Sequence, residues 1–306
     1  MRILLFLSLT LLSAASALPA QQPQIQNARV ETRALQGSLE AQLRQFGAGP
    51  YRAGYAEPII PGRHGDMCRG HGDNGNNGNA GDSSSGQQHA AGSPVRLEGQ
   101  TALVVLVRVE NGVVDKLRIS SPDCLLDAGA LPFYWLTGVT PEASVAWLKL
   151  QPDVLPPALH AGAAADSALE DLTAAGQPDK TRERAAFWLG STRGAKGVVI
   201  LQRMLAGDPS PKVREQVVFA LSQSKKPAGL TTLMLIQNAT ADDPERFVKE
   251  QAVFALKMLP EAQGVPRLID VAKNNRDLAV RRKALFWLGQ SKDPRALDFF
   301  AQVLRQ

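Results

Sequence analysis

The sequence predicts a mainly α-helical protein, an α-solenoid of stacked helical hairpins preceded by a small β-rich module. Three observations predict it. One helical phrase recurs four times in the last third, at Arg182–Leu189, Arg214–Leu221, Lys249–Leu256 and Arg281–Leu288. The phenylalanines inside these phrases, Phe187, Phe219, Phe254 and Phe286, lie 32, 35 and 32 residues apart, the length of a helix-turn-helix unit. Upstream, a run rich in β-branched residues ends at Asn111-Gly112 and returns, which is the pattern of a β-hairpin.

Within each phrase, residues three and four apart share a helix face. Ala185, Val217, Ala252 and Ala284, with Thr181, Val213, Val248 and Val280, line up with the phenylalanines and leucines as an apolar stripe. Glu183, Glu215, Glu250 and Arg282 fall between them and suit a solvated side. A turn follows each phrase, at Gly190-Ser191, Ser222–Ser224, Pro260-Glu261 and Gly289–Ser291. A second apolar helix then begins, marked by Val198, Leu230, Val265 and Leu297 and, three residues on, Leu201, Leu233, Leu268 and Phe300. Ser210-Pro211, Asp243-Pro244 and Asp293-Pro294 read as capped helix starts, and Asp179 and Asp277 as caps of two more. A lone hairpin leaves its apolar face wet, and stacking several buries it.

These residues resemble a HEAT-repeat protein, and more narrowly the short HEAT-like repeats of the phycobilisome-lyase type, over about Asp179 to Gln306. The resemblance implies a right-handed solenoid whose second helices line the concave side. It implies no particular activity, because the scaffold serves unrelated tasks. HEAT-repeat enzymes of the deoxyhypusine hydroxylase type hold iron through His-Glu pairs, and this chain has no such pair. Pro141–Leu148 and Ala163–Ala174 read as one degenerate unit ahead of the four clear ones, so the solenoid is expected over 140–306. Signal peptide, cysteine-bearing hairpin and HEAT repeats together resemble uncharacterised exported bacterial proteins.

Residues 1–20 read as a secretory signal peptide: Met1-Arg2, an apolar stretch from Ile3 to Leu12, and Ala15-Ser16-Ala17 as a cleavage pattern. The expected location is therefore periplasmic or secreted. Residues 21–50 read as a linker with an amphipathic helix over 28–46, through Val30, Leu35, Leu39 and Leu43. Residues 51–136 form the β-rich module, built from 51–60, 96–99, 101–110 and 113–120. It is interrupted by a Gly/Asn/Ser-rich stretch at 70–94 that has too little apolar surface to order itself. In an oxidising compartment the two cysteines, Cys68 and Cys124, are read as one disulfide. The alternative is a metal or redox centre around Cys68 with His64, Asp66 and His71.

Charge divides the chain. Residues 180–306 hold 22 Lys and Arg against 12 Asp and Glu, and the remainder 12 against 17. A basic array attracts an acidic or extended protein partner, or an anionic envelope surface. Export argues against nucleic acid. On the second helices Arg203, Arg267, Asp270 and Phe299 occupy repeat-equivalent positions and are the expected partner contacts. All four histidines lie outside the clear repeats. No catalytic constellation emerges, so the expectation is a non-enzymatic binding scaffold without a cofactor.

Overall fold

The computed structural model describes residues 22–47, 49–60, 68, 101–151, 155–224 and 229–305. The expected signal peptide, the 70–94 stretch, the strand at 96–99, and His64, Asp66 and His71 lie outside the described residues.

The N-terminal part is a five-stranded sheet. Strands β1 (Gln24–Gln26), β2 (Val30–Ala34), β3 (Tyr51–Pro58), β4 (Ala102–Glu110), β5 (Val113–Ser120), β6 (Leu125–Asp127) and β7 (Phe133–Thr137) appear in chain order. The large sheet runs β2-β7-β3-β4-β5, with β7 parallel to both β2 and β3 and the rest antiparallel, while β1 and β6 make a separate parallel pair. The β4–β5 hairpin turns where the sequence places it. Asn111 and Gly112 take φ of 51° and 72°, the left-handed pair that a two-residue hairpin matched to strand twist demands.

The helix expected over 28–46 is corrected. Val30–Ala34 is an edge strand, and only Leu39–Arg44 is helical (α1), capped by Ser38, whose Oγ accepts from the Ala41 amide. The apolar spacing that suggested one helix mixes two elements: Leu39 and Leu43 bury against the sheet, whereas Val30 pairs with Phe133 in a strand. Cys68 and Cys124 form a disulfide across a separation of 56 residues. Closing a loop of that length contributes about 4 kcal/mol in the chain-entropy account.

One face of the sheet packs on helices. Tyr51, Ala53, Tyr55, Leu103, Val105, Val107 and Val109 share a core with α1 and with Trp147 and Leu148 of α2 (Pro141–Leu148). Two short helices follow, α3 (Leu155–Leu159) and α4 (Ala163–Asp171). Backbone bonds tie the far end of β3 to the end of α3, from Ile60 N to Leu159 O at 2.9 Å and from Ala161 N to Pro58 O at 3.1 Å.

The array consists of four hairpins: α5 (Asp179–Thr192) with α6 (Gly194–Gly207), α7 (Pro211–Gln223) with α8 (Leu230–Asp242), α9 (Arg246–Met258) with α10 (Glu261–Asn274), and α11 (Leu278–Gly289) with α12 (Pro294–Val303). Asp277 and Asp293 cap α11 and α12 by accepting the amides of Ala279 and Arg295. Asp179 does not cap α5; it is the first helical residue, behind Pro178. A continuous core runs through all four units, from Ala185, Ala186 and Leu189 to Val280, Ala284 and Leu288. No helix among the described residues is long and apolar enough to cross a membrane.

The two helix layers are not spaced alike. First helices lie along one another, α5 on α7, α7 on α9 and α9 on α11, whereas successive second helices touch far less. Small residues permit the close approach: Ala186, Ala220 and Ala255 are fully buried. A Cβ added at Gly190 would stand 2.4 Å from the carbonyl oxygen of Ala220. Contact along the array is therefore made chiefly through the first helices.

Candidate interaction face

The arginine that opens three of the four phrases has an internal task. Arg182 is buried, and its Nε and Nη2 grip both oxygens of Asp208 at 2.8 and 3.0 Å. Arg214 repeats the arrangement one unit on, with Nε to Asp243 Oδ2 at 2.7 Å, Nη2 to Oδ1 at 3.2 Å, and Nη1 to the backbone oxygen of Asp208 at 2.9 Å. Asp208 and Asp243 also accept the amides of Ser210 and Glu245, so each fixes the loop that starts the next unit. Asn275 stands in the equivalent loop: Asp277 N donates to its Oδ1, and its backbone oxygen accepts from Arg281. The arginines therefore clamp unit to unit, and the net charge of the array overstates what its surface presents.

The apolar stripe expected to include the phenylalanines is corrected: it runs through the Ala, Val and Leu positions, and the phenylalanines stand outside that core. With 3.6 residues per turn, Phe187 sits about 200° round α5 from Ala185, on the side facing away from the second helix. Phe187, Phe219 and Phe254 are half-buried, and Phe286 is 55% exposed. They form an aromatic ridge along the first-helix layer. The rings of Phe187 and Phe219 lie nearly parallel with centroids 6.4 Å apart, and Trp287 meets Phe254 at 5.5 Å while Lys257 stands 5.4 Å over the indole. The signal was present in the helical wheel, where these positions fall opposite the centre of the Ala/Leu arc.

Beside each ring, one turn earlier, stand Glu183, Glu215 and Glu250, all half-buried. Glu250 pairs with Lys283 of the next helix at 3.8 Å. The positions corresponding to Lys283 opposite Glu183 and Glu215 are Gln216 and Gln251. Burial, and then the nearby charge of Glu183, push the Glu215 carboxyl above its ordinary value, with Lys212 offsetting part of that.

The expected contacts on the second helices are occupied locally. Arg203 is ion-paired with Glu170 of α4. Asp270 accepts from Gln237 at 2.8 Å and Asn274 at 2.7 Å. Arg267 is half-buried and donates to the backbone oxygen of Gln263, one turn back on its own helix. Phe299 is corrected outright: it is 4% exposed, packed in the common core with Lys273 5.5 Å over its ring, and offers no surface. The metal alternative around His64, Cys68 and His71 loses its thiolate, because the Cys68 sulfur is in the disulfide.

A polar chain missed in the sequence lies between the sheet and α2. Tyr55 Oη is 2.9 Å from Ser144 Oγ, which is 2.8 Å from His160 Nε2, and all three residues are sealed from solvent. Arg193 donates to the backbone oxygen of His160 at 2.9 Å. Glu57, two residues along β3 from Tyr55, is 2% exposed and its Oε1 has no hydrogen-bond partner. Burial first, and Glu142 second, push its carboxyl up to about 8.

Comparison with known proteins bears on the array. The family model for HEAT repeats matches residues 167–257 and 234–306. No curated protein matches the chain. Among solved structures, the complex of CpcE and CpcF of phycocyanin lyase from Nostoc sp. PCC7120 is similar at 19% identity and a TM-score of 0.34, covering 49% of this chain and 99% of that one. Human deoxyhypusine hydroxylase in complex with glycerol is similar at 15% identity and a TM-score of 0.25, covering 54% of this chain and 80% of that one. The repeated helix pair, the continuous core through four units and the family match agree that residues 167–306 of this chain are a HEAT-repeat array.

Proposed function

We propose that this chain is an exported, non-catalytic interaction scaffold that holds an extended protein segment across the first-helix side of its HEAT array. The ridge carries the reading. Four phenylalanines hold the same register in the first helices of four successive units, and none of them belongs to the core between the two helix layers. Scattered exposed apolar residues are ordinary on a protein surface, whereas a contiguous row marks a contact site. Since the row crosses the helices, one ring per helix, its partner runs along the array.

The leader-like start of the sequence and the Cys68–Cys124 disulfide support export. The sealed Ser144–His160 contact supports a structural rather than a catalytic role for that pair, because substrate has no path to it. An acidic partner or an anionic envelope surface draws its support from the net charge alone, and Arg203 and Arg267 are engaged within the protein. No nucleic acid or cofactor enters the reading.

Replacing Phe219 and Phe254 together by serine removes the middle of the ridge. We expect capture of the partner from envelope extract to fall at least tenfold, with the helical circular dichroism unchanged, because a central aromatic anchor is worth roughly 2 kcal/mol or more. Undiminished capture by a folded double variant overturns the reading.

A further inference from the structure

The furrows between first helices add a charge pattern to the ridge. Glu183 and Glu215 lie half-buried on the first helices α5 and α7, and neither makes an ion pair within 4 Å among the described residues. Each stands one turn back from a ridge phenylalanine, and the repeat-equivalent neighbours across the furrow, Gln216 and Gln251, are amides. In the third furrow the same acid, Glu250, is neutralised by Lys283, and in the fourth unit the acid is replaced by the exposed Arg282. The first two furrows therefore hold half-buried negative charge next to aromatic surface, with Lys212 one turn away as a partial offset. The last unit is positive. Half-buried carboxylates held close together are costly until a cation joins them, and an amide beside each supplies donors and acceptors for a peptide backbone without cancelling the charge.

Resting on the scaffold reading above, we infer that the ridge selects a cationic segment: a peptide with apolar side chains on the phenylalanines and Lys or Arg set into the Glu183 and Glu215 furrows. Arg282 repels a further cation at the fourth unit, so the positive part of the segment lies toward α5 and α7 and its orientation is fixed. The partner's chemistry is thus the reverse of the one the net charge of the array suggests.

The test is selection from a displayed library of random 12-residue peptides on the full secreted chain. Three proteins are compared: the native chain, Glu183→Gln with Glu215→Gln, and Phe219→Ser with Phe254→Ser. We expect the native chain to enrich peptides rich in Lys or Arg together with aromatic or large aliphatic residues. The glutamine variant is expected to bind those peptides about tenfold more weakly, as two half-buried ion pairs of under 1 kcal/mol each imply, and to lose the preference for cations. Enrichment of acidic or uncharged peptides, abolished by the serine variant, overturns the charge inference and leaves the ridge standing. Enrichment that survives the serine variant, or no enrichment on the native chain, overturns both.

Discussion

Asp243→Ala is expected to lower the stability of the array by about 3–5 kcal/mol, the largest loss from a single polar side chain here. Arg214 is a buried residue, and the substitution removes its bonds from Nε and Nη2 and leaves only the backbone oxygen of Asp208 in reach. It also frees the Glu245 amide that anchors the start of α9. Urea unfolding followed by circular dichroism reads the effect. Arg214→Met with Asp243→Leu provides the control, since removing both charges recovers most of the loss while removing one does not. Glu170→Ala, which breaks the exposed pair with Arg203, is expected to cost less than 1 kcal/mol. Equal effects from Asp243→Ala and Glu170→Ala would refute the clamp.

Glu57→Gln is expected to stabilise the protein at alkaline pH. The folded carboxyl titrates at about 8 against an ordinary 4.5, so between those values the folded chain keeps a proton that the unfolded chain has released. Stability must then fall as pH rises through that window, with the full penalty reached above pH 8. The penalty is about 5 kcal/mol for a carboxylate forced to ionise against burial and Glu142. Glutamine keeps the shape and does not ionise. Urea midpoints of the native chain measured from pH 5 to pH 9 should decline, and those of Glu57→Gln should stay level and cross above them. Parallel curves would show that Glu57 is charged and solvated in the folded protein.

The repeat architecture was legible because register is a local property. A fixed distance between Phe187, Phe219, Phe254 and Phe286 fixes the helix pair, and the stripe of Ala, Val and Leu fixes which side is buried. The hairpin at Asn111-Gly112 was legible for the same reason, since φ above zero at two adjacent positions needs those residue types. Non-local facts were not. Val30–Ala34 has a helix-compatible spacing and becomes a strand only because Phe133–Thr137 lies beside it, 103 residues away. How closely the first helices approach depends on the spacing between units, and that rests on Gly190 meeting the Ala220 carbonyl across two helices.

The interaction face shows the same division. Helical periodicity identifies positions of one kind in each unit but not their partners. Arg182 and Arg214 read as surface charge until Asp208 and Asp243, in loops nearly a unit downstream, are seen to hold them. Phe299 shares its register position with Arg267, yet one is sealed in the core and the other half-buried. Tyr55, Ser144 and His160 come from a strand, a helix and a loop, and nothing in the spacing of the three residues announces their contact.

The central claim is that partners meet the ridge of first helices, and photo-crosslinking tests it most directly. A photoreactive residue is placed at position 219, in the ridge, and separately at position 234, where Met234 is 54% exposed on a second helix. Each protein is illuminated in envelope extract, and covalent adducts are resolved by mass. The account predicts a discrete adduct from position 219 and none from position 234. Adducts from 234 alone, or equally from both, would contradict it.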